Sequence, residues 1–154
     1  MASLRYITVE NFKTEKGFTR DLDLSYQIFG QALGEAPIVL VNHALTGNST
    51  LVGESGWFNE IVGEEKTIDL NKFTVLAFNI PGNGYSGDVE DLLFNYKDFT
   101  IDDVARLFVE GLQLLGIEQL FAIIGCSIGG ALTWHMAVHH PKLAEHIIPV
   151  ATHH

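Results

Sequence analysis

Cysteine is almost absent from this chain: Cys126 is the only one among 154 residues. No intramolecular disulfide can form, a four-cysteine metal site is excluded, and a reducing cytosol is the default compartment. Cations are scarce as well, with 9 Lys plus Arg against 19 Asp plus Glu and a formal net charge of −10. No basic cluster is available to meet a phosphate backbone, so nucleic acid is not an expected partner. The excess carboxylates read as a solvated surface that keeps the protein soluble, not as a mark of its substrate. Long apolar runs are missing too: nothing approaches the roughly 20 residues needed to cross a bilayer. The N-terminal "MASLRYITVENFKTEKG" has no cationic segment leading into an apolar stretch. The expectation is a cytoplasmic protein with no membrane partner. Repeats, low-complexity tracts and linkers are also lacking, which leaves a single domain.

What the chain does have is core material, 47% hydrophobic and 10% aromatic residues, in an informative order. "LRYITVENF" and "LDLSYQIFG" alternate or nearly alternate around "KTEKG", which predicts two antiparallel strands at the start. "APIVLVN" (36–42), "FTVLAFN" (73–79) and "LFAIIG" (120–125) are short continuous apolar runs, as expected of strands buried on both faces of a parallel sheet. Between them, "TIDDVARLFVEGLQLLG" places apolar residues at helical spacing, with Thr100 as N-cap, Asp103 at the capping-box position and Gly116 as the stop. A second helix follows from "IGGALTWHMAVHHP" and ends at Pro141. "HIIPVA" predicts one more strand, against which Pro149 counts because proline cannot donate to a ladder. Strands alternating with helices argue for an α/β fold, a mostly parallel sheet with helices on both faces and an N-terminal antiparallel hairpin.

The strand–turn–helix around "GCSIG" carries the chemistry. G-x-S-x-G between a buried strand and a helix is the context of a nucleophile elbow. The serine of such a turn takes a strained backbone conformation, and side chains two residues before and after would collide with the neighbouring helix and strand. Gly125 and Gly129 remove them, leaving Ser127 as the candidate nucleophile at a helix N-terminus that favours developing negative charge. The bland alternative is a serine that caps the helix with its hydroxyl. Cys126 fits the glycine spacing worse and reads as a packed small residue. An oxyanion hole needs two amides, for which Ile128 and, in the "NHALTG" segment after the first buried strand, Leu45 are the candidates. His43 in that segment reads as a structural hydrogen-bonding residue rather than a base. "GNGYSG" (82–87), with Asp102 and Asp103 further on, matches a dinucleotide fingerprint. No helix opens within its glycines, and "DVEDLLFNYKDF" has no clear apolar helical face, so it reads as a glycine-rich turn.

Taken together, "NHALTGNS", "GWFNEIVGEEKTIDLNKFTVLAFNIPGNGYS" and "GCSIGGALTWHMAVHHP" resemble segments of the homoserine O-acetyltransferase family, a branch of the α/β-hydrolase fold. They match its histidine-alanine-leucine-threonine-glycine loop, its Gly-Trp helix, Ile-Asp turn and Asn-x-x-Gly strand exit, and its nucleophile segment. The elbow's Cys-Ser-Ile departs mildly from the small residue or glycine, then Ser-Met, of many members. The resemblance implies a double displacement in which Ser127 takes an acyl group from acetyl-CoA or another acyl-CoA and passes it to the hydroxyl of a small amino acid, typically homoserine. Splitting one hard transfer into two acyl steps is what an activated serine offers. It further implies a place in methionine biosynthesis, no bound cofactor, and a homodimer at full length.

In this fold the triad runs serine, acid, histidine. Glu145 is the sole acid after Ser127, and it begins the last strand, on the order of 15–20 Å from the elbow. His135, His139, His140, His146, His153 and His154 sit on the second helix, the last strand or the chain end, and read as surface or packing residues. No triad acid or base and no metal-ligating set is therefore read here. The expectation is the N-terminal part of one α/β-hydrolase domain, cut after the sixth strand, with lid and C-terminal strands downstream. Without a general base, worth roughly 100- to 10,000-fold, these residues alone should turn over poorly. A serine esterase of the same fold and a non-catalytic fragment are the competing readings.

Overall fold

A computed structural model describes residues 2–85, 87, 89 and 96–153. Among the described residues, eight strands and two α-helices are seen: β1 Arg5–Lys13, β2 Thr19–Gly30, β3 Ile38–Asn42, β4 Val62–Gly63, β5 Ile68–Asp69, β6 Thr74–Phe78, α1 Ile101–Leu114, β7 Leu120–Cys126, α2 Ile128–His139 and β8 Ala144–Val150. Six strands form one sheet in the order β1-β2-β6-β3-β7-β8, while β4 and β5 pair separately. β1 with β2 and β2 with β6 are antiparallel; β6, β3, β7 and β8 run parallel. The expected hairpin, the three buried strands and both helices are all present.

Alternation along the central strands sends side chains to two cores, because successive residues of a strand face opposite ways. Leu40, Leu76, Phe78 and Ile123 pack with Leu107, Phe108 and Leu112 of α1 and Leu132 and Met136 of α2. Val39, Val41, Val75, Ala77, Ala122 and Ile124 pack instead with Leu51, Val62 and Ile68. Both α-helices thus lie on one face. Helices were expected on both faces; among the described residues the second face is covered by the segment 49–73 and its small β4–β5 pair. The "Gly-Trp helix" within that segment is one turn, closed by Ile61 and Val62 amides on the Phe58 carbonyl at 3.1 and 2.9 Å. Its half-buried aromatic residues pack flat, with Trp57 and Phe58 rings stacked at 4.7 Å, which adds to those two hydrogen bonds.

Pro149 does sit in a strand. The Val150 carbonyl accepts from the Ser127 amide on the β7 side, so the Pro149 nitrogen faces the outer edge, where no donor is required. The α1 cap is as read: Thr100 Oγ1 accepts from the Asp103 amide, the Asp103 carboxylate accepts from the Thr100 amide, and Gly116 turns away with φ +72°.

Candidate active site

β7 ends at Cys126 and α2 begins at Ile128, so the direction of the chain reverses across one residue. Ser127 takes up that reversal with φ 55° and ψ −120°, a conformation that costs a non-glycine residue on the order of 1–3 kcal/mol. Its side chain is exposed and makes no capping hydrogen bond, which sets aside the simple helix-cap alternative. The glycines have the predicted steric reason. A Cβ on Gly125 would stand 2.0 Å from the Gly129 carbonyl oxygen, and one on Gly129 would stand 2.2 Å from the Asn42 carbonyl oxygen of β3. Gly130, which the sequence reading passed over, is confined by Thr152 at 2.6 Å from the same hypothetical atom.

A second tie anchors the helix beneath the elbow. Asn42 Nδ2 donates to Thr133 Oγ1 at 3.0 Å, and Thr133 Oγ1 donates to the Gly129 carbonyl at 2.8 Å. These contacts fix the α2 N-terminus against β3.

The amides of Leu45 and Ile128 donate to no protein acceptor among the described residues. Their side chains line one cavity of about 280 Å³ with Ile80, Pro81, Ile101 and Leu132. The fold therefore brings the two residues named for the oxyanion hole to one cavity, next to Ser127 in the case of Ile128. The Leu45 loop is held by His43, which is fully buried. His43 Nε2 accepts from the Ile80 amide at 3.0 Å and Nδ1 donates to the Ala44 carbonyl at 2.7 Å, so backbone partners define a neutral tautomer. Burial pushes its pKa below the ordinary value, against the opposing Ala44 bond. His43 is a loop anchor, as its sequence context indicated.

The same loop is braced from the other side by polar residues the sequence reading missed. Asn79 Oδ1 accepts from the Ser49 amide at 2.8 Å, and Gln27 Oε1 accepts from Ser49 Oγ at 2.7 Å. All three side chains are buried. Only Asn79, a polar residue closing an apolar strand before Pro-Gly, offered a signal. Asn83 Nδ2 also donates to Asn79 Oδ1, and Gly82, Gly84 and Gly87 all have positive φ; "GNGYSG" is a turn, with Ser86 outside the described residues.

Cys126 is half-buried, and burial raises its thiol pKa, which keeps it protonated and poorly nucleophilic. Glu145 lies opposite Phe121 in the β7–β8 register, five residues before the end of β7 and so about 16 Å from it. His146 packs edge-on against Phe121 at 4.8 Å. His135 and His139 converge on Asp102 of α1, and His154 is outside the described residues. Among the described residues no side chain hydrogen-bonds the Ser127 hydroxyl.

A strained serine between compressed glycines, at the end of a central parallel strand and the start of a helix, defines a class of proteins, and comparison bears this out. Residues 37–154 match the model of the alpha/beta hydrolase fold, and the chain belongs to that family. Within it, the chain is 36% identical to a homoserine O-acetyltransferase of Haloferax volcanii, over 86% of this chain and 36% of that protein. A crystal structure of homoserine O-acetyltransferase from Bacillus anthracis superposes with TM-score 0.82 at 26% identity, over 99% of this chain and 47% of the other. The crystal structure of esterase E22 superposes with TM-score 0.84 at 24% identity, over 99% and 48%, a likeness of fold alone. The chain spans about two fifths of the length of the curated relatives it matches. No described helix is long and apolar enough to cross a membrane.

Proposed function

We propose that Ser127 is the nucleophile of an acyl-CoA-dependent O-acyltransferase, with acetyl-CoA as donor and homoserine as acceptor. The observation that carries the reading is the backbone of Ser127, held at positive φ so that its hydroxyl stands exposed at the head of α2. The sequence likeness to proteins named homoserine O-acetyltransferase supports homoserine as acceptor and acetyl as the group transferred, and a thioester donor is the chemical class that suits an acyl-serine intermediate. Serine oxygen attacks the thioester carbonyl, the tetrahedral oxyanion is met by the Ile128 and Leu45 amides, and CoA departs as the thiol to leave acyl-Ser127. The acceptor hydroxyl then attacks the acyl carbon through the same oxyanion geometry, regenerating the serine. The mostly apolar cavity lined by Leu45 and Ile128 suits a short acyl chain. The reading assigns the acid and base that activate Ser127, and the lid, to residues beyond these 154, and a homodimer in the cytoplasm to the full-length protein, working in methionine biosynthesis.

The elbow serves water as readily as an amino-acid hydroxyl, so an esterase is the second reading, and esterase E22 shows the same fold. In the full-length protein, free thiol released from acetyl-CoA should depend on added homoserine. Ester hydrolysis with no such dependence overturns the transferase assignment and leaves the esterase.

A further inference from the structure

The acyl transfer proposed above makes no use of three side chains that α1 and α2 bring together. Asp102, in the first turn of α1, accepts at a single oxygen, Oδ1, from His135 Nδ1 at 2.5 Å and from His139 Nε2 at 3.0 Å. The two histidines are four apart on α2 and so share one helix face, with ring centroids 6.4 Å apart. One ligand atom from each residue lies within 4.8 Å of the others. A four-coordinate ion with metal–nitrogen and metal–oxygen bonds near 2.0–2.2 Å spaces its ligand atoms at about 3.4 Å, so the two histidine–carboxylate pairs, at 2.5 and 3.0 Å, need open by about 1 Å or less. The side chains can make that adjustment, being 34, 35 and 57% exposed for His135, Asp102 and His139.

Solvent reaches the cluster through a cavity of about 370 Å³ that Asp102 and His139 line with Glu15 and Arg106. Arg106, which lines the same cavity, is already engaged: its Nη2 donates to Asp103 Oδ1 at 2.6 Å and to the Lys13 carbonyl at 2.7 Å. Glu15 adds a second carboxylate, held by Thr100 Oγ1 at 2.9 Å. Two imidazoles and a carboxylate favour first-row ions such as zinc over magnesium or calcium.

We propose that Asp102, His135 and His139 form a binding site for one divalent transition-metal ion, zinc fitting best, that clips the first turn of α1 to the last turns of α2. The ion binds His135 Nδ1 and His139 Nε2 in their neutral imidazole form, each ring keeping one proton on its other nitrogen and any further proton passing to solvent, and its remaining positions are filled by water. His135 is eight residues along α2 from Ser127, about 12 Å, so the ion serves structure and not the acyl chemistry. Its position matters all the same, because Thr100, Ile101 and Val104 at the start of α1 form part of the apolar cavity beside the elbow.

The test is zinc titration of the untagged, chelator-stripped full-length protein by calorimetry, with the thermal midpoint followed in parallel. One zinc should bind per chain and raise the midpoint, while magnesium gives neither effect. Asp102→Asn, which keeps the size of the side chain, and His139→Ala, which trims an exposed one, should each weaken zinc binding roughly tenfold or more. Replacing His153 and His154 by alanine should leave it unchanged. Absence of zinc binding, or binding that Asp102→Asn and His139→Ala both retain, overturns the proposal.

Discussion

The two ends of α2 are built in opposite ways. Its N-terminal end is made of backbone: Ser127 at positive φ, Gly125 and Gly129 in contact with carbonyls, and an amide handed to the last strand. Its C-terminal end is made of side chains, two exposed or half-exposed histidines meeting one aspartate from another helix. Backbone packed at van der Waals limits has no room to adjust, whereas long side chains at a surface re-form their contacts at little cost. The first end suits a reacting atom that must not move. The second suits a contact that comes and goes.

Substitutions should separate the ends by the size of their effects. Ser127→Ala in the full-length protein should leave the fold intact and lower kcat for acyl transfer by roughly 10⁴- to 10⁶-fold, measured by thiol release from acetyl-CoA. Equal activity in that variant would remove the elbow from the chemistry. Gly129→Ala should cost about 3 kcal/mol or more, because the new Cβ would meet the Asn42 and His43 carbonyls at 2.2 and 2.5 Å and neither strand nor helix can retreat. Denaturant unfolding would show it, and a change under ~0.5 kcal/mol would mean the elbow is looser than drawn.

A pH effect of intermediate size belongs to His43, beneath the elbow. Burial lowers its folded-state pKa below the ordinary 6.5, so the unfolded chain takes up a proton first as pH falls. The stability it contributes is therefore fully present above about pH 6.5 and is lost below it, by up to ~1.4 kcal/mol per pH unit until the folded pKa is reached. Unfolding midpoints from neutral to about pH 5.5 should fall more steeply in the parent than in His43→Asn. The smallest effect should be at the far end: His139→Ala, without added metal, should change stability by less than ~0.5 kcal/mol.

The same contrast explains what could be read from the sequence. The elbow was legible because its determinants lie within five consecutive residues: a serine at positive φ and two glycines where the close approach of neighbouring backbone leaves no room for a Cβ. The α1 cap was legible for the same reason, Thr100 and Asp103 being three apart. Asp102 with His135 and His139 was not, since 33 and 37 residues separate partners that only the α1–α2 packing unites. Gln27, Ser49 and Asn79 were hidden likewise, their bonds crossing from β2 to the loop after β3 and to the end of β6. That a loop, and among the described residues no helix, covers the second face was not legible because Trp57, Phe58 and Ile61 are as apolar as a buried helix, and only their short-range turn shows that they cover the sheet as a loop.

The most direct test of the central claim is to trap the acyl-enzyme. Full-length protein incubated with acetyl-CoA, without acceptor, and examined by intact and peptide mass spectrometry should carry one acetyl group on the peptide containing Ser127. Homoserine should discharge it, and Ser127→Ala should abolish it. Homoserine acetylation that persists in Ser127→Ala, or an acetyl group found only on another residue, would contradict the account.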